Sequence, residues 1–104
     1  MRLIVLFDIP TETKTQQKQY RYLIKVLEKE GFLRYQYSVY VRTCVNYTDV
    51  NNCLGRLYPL INKIPGQINA LTITDKQFAK ITPLNLHNHT NPQITNGNKK
   101  VITI

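Results

Sequence analysis

An isolated carboxylate closes the first apolar run of this 104-residue chain. Residues 3–7, LIVLF, are all apolar; Asp8 follows directly, and Pro10 stands two places further on. An unpaired carboxylate is costly inside a core, so Asp8 belongs at the exit of the segment. There it either caps the turn at Ile9-Pro10 or forms half of a site. If the first strand runs near a two-fold axis, Asp8 meets its own symmetry mate. Two facing carboxylates repel unless a hard cation or a shared proton lies between them. Magnesium suits that arrangement, because it takes few protein carboxylates and keeps several waters.

The second chemistry is cationic. Lys and Arg number 14 against 6 Asp and Glu, a formal net charge of +8. That balance points to a polyanionic partner, nucleic acid before an anionic membrane surface. The basic residues fall into groups: Lys14, Lys18, Arg21 and Lys25; Arg34 and Arg42; Lys76 and Lys80. Cations spread over separate elements suit phosphate contacts to a duplex better than base readout. Tyr35, Tyr37 and Tyr40 interleave with the strand arginines. They read either as stacking platforms for single-stranded bases or as packing with the hydroxyls at the edge.

Other chemistries find little support. The sequence has no Walker loop, GxGxxG or nucleophile elbow. His87-Asn88-His89 spells HNH, but that nuclease name describes residues spread over a ββα fold, not a tripeptide. Cys44 and Cys53 lack CxxC spacing and read as small buried hydrophobes. No apolar run approaches the roughly 20 residues that span a bilayer. The N-terminal run is shorter than the apolar region of a signal peptide. A cytoplasmic location and no membrane partner are expected.

The elements that must position these residues follow from periodicity. Residues 3–7 suit a strand covered on both faces. Thr13 with Gln16 fits a capping box. The helix after it carries Tyr20, Leu23, Ile24 and Leu27 on one face and stops at Gly31. From residue 32 to 45 apolar residues alternate too long for one strand, so two strands with a break near residues 36–38 are expected. Asn46 and Asp49 open a second helix, with Val50, Cys53, Leu54 and Leu57 inward; Pro59 closes or kinks it. Pro65-Gly66 turns into a strand over residues 67–74. Residues 75–81 allow one helical turn. The order β-α-β-β-α-β is an α+β, ferredoxin-like split βαβ. Residues 1–82 form its core. Residues 83–104, a polar loop and a last strand after Asn96-Gly97, belong to the same domain.

With the elements in place, VLFDIP, GFLRYQYSVYVRTC and LTITDKQF, in that order and spacing, with KKVITI at the end, resemble the small CRISPR-associated Cas2 family. The likeness runs from residue 2 to about residue 81, and is similar to versions found beside RNA-guided single-effector nucleases. It implies a ferredoxin-like homodimer. It also implies a non-catalytic, DNA-binding bridge that joins copies of the larger CRISPR integrase subunit and holds duplex prespacer DNA. The alternative the family implies is a magnesium-dependent endonuclease acting on RNA or DNA. Asp8 matches the family's metal-site aspartate, and Arg34 and Tyr40 match positions linked to that activity. Phe7 stands where some nuclease-active members have Tyr, and the basic residues of the first helix fall in a different register.

A strand after a long polar loop adds to a sheet edge, here expected to be the partner's. Deleting residues 99–104 is therefore expected to weaken the dimer in sedimentation. A truncated chain that sediments as an unchanged dimer removes that role.

Overall fold

Thr13 starts the first helix as its side chain requires. Its Oγ1 accepts from the Gln16 backbone at 3.1 Å, while Gln16 Oε1 accepts from the Thr13 backbone at 3.0 Å. In this computed structural model, which describes residues 1–85, β1 (Arg2–Asp8) leads to α1 (Lys14–Lys29). β2 (Leu33–Gln36), β3 (Val39–Thr43), α2 (Tyr47–Ile61) and β4 (Gln67–Ile73) follow. Gly31 ends α1 with a φ of +91°, a left-handed conformation that costs a residue with a Cβ. Asn46 caps α2 by accepting from the Asp49 backbone at 2.9 Å. Pro59 does not close α2; the helix runs on to Ile61. Pro59 lies in the last turn, where it removes a single bond.

The sheet order is β2-β3-β1-β4, with every neighbouring pair antiparallel. This is the ferredoxin-like arrangement expected. The two central strands are β1 and β3; both helices pack on one face. Leu3, Val5 and Phe7 meet Leu23, Val26 and Leu27 of α1 and Val50, Cys53 and Leu57 of α2 there. Alternation sends Ile4, Leu6 and Asp8 to the other face. Across the ladder Ile4 pairs with Val41 and Leu71, and Leu6 with Val39 and Asn69. That open face is apolar as well. Leu6 is 38%, Leu71 50% and Leu33 78% exposed.

The break between β2 and β3 falls at Tyr37-Ser38, where the register also shifts between Arg34 and Gln36. The alternating valines turn out to face the open side. Tyr40 is the β3 residue in the core, opposite Val5.

By internal contacts the chain divides into Met1–Ile73 and Thr74–Ile104. Of the second unit, residues 74–85 are described. Thr74 caps α3 (Asp75–Ala79) through a capping box with Gln77. The expected loop over residues 83–98 falls largely, and the strand over 99–104 wholly, outside the described residues, as do His87 and His89.

One turn locks β1 to β4. Gly66 has a φ of +103°, and a Cβ there stands 2.6 Å from the Asp8 carbonyl oxygen and 2.8 Å from the Ile9 Cα. Both neighbours are backbone and cannot rotate away. Gly66→Ala is expected to destabilise the fold by about 1–3 kcal/mol from the left-handed backbone alone, with the clash adding to it. Urea unfolding reads this directly, and an unchanged midpoint rules the seat out.

Candidate functional site

Asp8 ends β1 opposite Gln67 and is exposed. It borders a shallow depression of about 260 Å³ on the open face, with Ser38, Gln67 and Asn69 among the lining. Its backbone is seated by Gly66 and, one residue back, by the Phe7 N–H donating to the Ser38 carbonyl at 3.1 Å. The described residues thus offer one carboxylate at the rim of a largely apolar depression, where Leu6, Phe7 and Val39 stand beside Ser38, Gln67 and Asn69. Among the described residues no group of three or more His, Cys, Asp or Glu gathers to hold a metal. One carboxylate suits an ion that keeps most of its waters, as magnesium does, and not a closed zinc site. Among the described residues that line the depression, Asp8 is the one carboxylate.

Arg34 and Tyr40 are brought together, but away from Asp8. They pair across β2 and β3, and Tyr40 lies in the helix-side core. Tyr40 is 4% exposed and stacks on Phe7, ring centroids 5.9 Å apart. Burial raises its hydroxyl above the ordinary 10.0, against the opposing charge of Arg34. At neutral pH it is a hydroxyl that donates, not a base. Since Phe7 immediately precedes Asp8, Tyr40 supports the end of β1 from behind, through the sheet.

The first-helix cations form one row. Lys14, Lys18, Arg21 and Lys25 are all exposed, and their 4-3-4 spacing places them on the face opposite Leu23 and Leu27. At 1.5 Å per residue the row is about 16 Å long. Lys25 extends the set that Lys14, Lys18 and Arg21 begin; its spacing was the available signal. Lys76 and Lys80 are exposed on and just after α3, within the second unit.

Arg42 faces inward. Its Nε donates to the Glu30 carbonyl at 2.7 Å; its Nη1 donates to Cys44 Sγ at 3.0 Å and to Asp49 Oδ1 at 3.3 Å. Its guanidinium is spent on the chain's own acceptors, so it is left out of the surface row. Glu30 is a residue that sequence reasoning missed. Its carboxylate accepts from Arg56 Nη2 at 2.9 Å and Nε at 3.0 Å. Nothing local in the sequence links residues 30, 42 and 56.

Comparison with known proteins now bears on this geometry. The family model described as CRISPR associated protein Cas2 matches residues 1–81. The chain belongs to the Cas2 family. It is 37% identical over 102 residues to the CRISPR-associated endoribonuclease Cas2 of Streptococcus mutans, strain UA159, covering 98% of this chain and 91% of that protein. It is 41% identical over 78 residues to the protein of the same name from Ligilactobacillus salivarius, covering 75% and 76%. The crystal structure of Streptococcus pyogenes Cas2 at pH 6.5 superposes with a TM-score of 0.62 at 24% identity, covering 82% of this chain and all of that one. That structure supports the fold. The Cas2 match spans Asp8, Arg34, Tyr40 and the α1 row, and it includes the Glu30 node that fixes the helices of this Cas2 chain.

The node has a pH signature. The Arg56 hydrogen bonds hold the Glu30 carboxyl below its ordinary 4.5, against the upward pull of burial. A folded-state value below the unfolded one contributes stability above pH 4.5, and that stability is lost as pH falls through the lowered value. Glu30→Gln is expected to flatten the acid limb of a stability–pH curve below pH 4.5. Parallel limbs for variant and parent discount the node.

Proposed function

We propose that this Cas2 protein is a magnesium-dependent endonuclease acting on RNA or DNA, working as a homodimer in which the open sheet faces meet and each copy supplies Asp8. The observation that carries this reading is an exposed carboxylate at the end of an apolar sheet face whose Leu6, Leu33 and Leu71 are exposed among the described residues. Exposed apolar patches of this kind mark contact sites, and a two-fold contact repeats its residues on both sides. The name endoribonuclease carried by the similar proteins points the same way.

In this reading Asp8 would hold the ion, with the polar groups of Ser38, Gln67 and Asn69 available to its waters. Magnesium supplies a polarised phosphate oxygen and an activated water. Arg34 and Tyr40, on the other face, do not reach Asp8 of their own chain. Tyr40 positions Asp8 through Phe7, and Arg34 offers a charge to substrate phosphate.

A second reading rests on a different observation. The row Lys14, Lys18, Arg21 and Lys25 lies on the helix side, away from Asp8, and can hold duplex DNA without cutting it. Lys76 and Lys80, in the second unit, are separate candidate phosphate contacts. This is the bridge reading: a non-catalytic subunit that joins copies of the larger CRISPR integrase subunit and holds duplex prespacer DNA.

The two readings separate by mutation. Asp8→Asn is expected to abolish magnesium-dependent cleavage and leave duplex affinity unchanged. Cleavage at the parent rate in carefully purified variant protein reduces Asp8 to a turn residue and sinks the nuclease reading. Removing any one true phosphate contact, Lys18→Ala for example, is expected to reduce the slope of log K against log salt by about 0.9 on any sequence. Duplex binding indifferent to salt removes the bridge reading.

A further inference from the structure

Tyr37 is the exposed end of a run of rings that begins in the core. Tyr40 stacks on Phe7 at 5.9 Å, Phe7 meets Tyr20 edge-on at 6.1 Å, and Tyr20 stacks on Tyr37 at 5.9 Å with the planes 23° apart. Exposure rises along the run, from 4% at Tyr40 to 67% at Tyr37. Tyr37 also sits in a pinned turn, since the neighbouring Ser38 carbonyl accepts from the Phe7 backbone. Burial first, and the nearby Tyr37 hydroxyl second, push Tyr20 up to about 12. The ring is thus exposed without being free to swing. Arg34, three residues earlier on β2, lies within electrostatic reach of both Tyr20 and Tyr40.

We propose that Tyr37 is a stacking platform for one unpaired nucleobase, with Arg34 beside it to meet the adjoining phosphate. The proposal rests on the nucleic-acid reading above and adds a substrate feature to it: a single-stranded stretch next to, or in place of, a duplex. An exposed aromatic held by its neighbours stacks a base with little loss of side-chain freedom, and every base offers a π-face. Tyr20 belongs to α1, so the platform lies on the helix side of the sheet. It stays open when the opposite face is covered. The α1 row shares that side.

The test uses the full chain and two DNA probes: a blunt duplex, and the same duplex with a four-nucleotide single-stranded extension carrying 2-aminopurine. The extension is expected to raise affinity about tenfold and to quench the 2-aminopurine on binding. Tyr37→Phe is expected to keep both effects. Tyr37→Leu is expected to lose both while still covering Tyr20 and binding the blunt duplex like the parent. Thermal melting checks that each variant folds. If Tyr37→Leu keeps the gain and the quench, Tyr37 only shields Tyr20 and the proposal falls. If the parent binds both probes equally, the platform falls while the phosphate reading stands. If neither probe binds, the underlying nucleic-acid reading fails first and takes the platform with it.

Discussion

One guanidinium, that of Arg42, ties three elements at once. From β3 it reaches the carbonyl of Glu30, which caps the C-terminus of α1, the thiol of Cys44 and the carboxylate that helps start α2. Burial works against its charge, but the bonds to Cys44 and Asp49 outweigh it, and the group stays firmly cationic. A cation at a helix C-terminus also meets the negative end of the helix dipole. Glu30 continues the link, passing from α1 to Arg56 on α2. Two helices that share few direct contacts are thereby fixed over one sheet. Everything displayed on α1, from Lys14 to Tyr20, takes its position from that anchorage.

The sheet then acts as a partition. The carboxylate and its oxygen-bearing neighbours lie on one side, the cationic row and the ring run on the other. Phe7 and Asp8, adjacent in the chain, point in opposite directions because strand side chains alternate. The α1 cations and Asp8 are thus separated by the thickness of a sheet. Under the proposed function, a nucleic acid held on the α1 side would have to wrap a sheet edge to meet Asp8 of that copy.

Much of this was legible in the sequence where the physics is local. Thr13, Gln16 and Gly31 mark both ends of α1 because capping involves residues three or four apart. Asn46 and Asp49 do the same for α2. The strand break came from length, since fourteen alternating residues exceed one strand of so small a sheet. Asp8 at a strand exit followed from the cost of a buried charge. The face of the β3 valines was not legible. A period of two shows that Val39 and Val41 share a side, not which side, and here the open face is itself apolar. Nor was the inward turn of Arg42, whose acceptors are scattered from residue 30 to residue 49. The separation of Asp8 from Arg34 and Tyr40 needed the strand register, which no local pattern carries.

The cationic row on α1 has a cost that the capping box and the Leu23 and Leu27 contacts offset. Like charges three or four residues apart on a helix repel by about 0.2–0.5 kcal/mol per pair. Dissolved ions screen that repulsion over roughly 10 Å at 0.1 M, and the same ions compete for phosphate. Ionic strength therefore acts on this helix with two signs. Under the proposed function, salt that would loosen a bound polyanion relaxes the empty helix, so the conditions that favour the folded chain on its own would be those that least favour an occupied form.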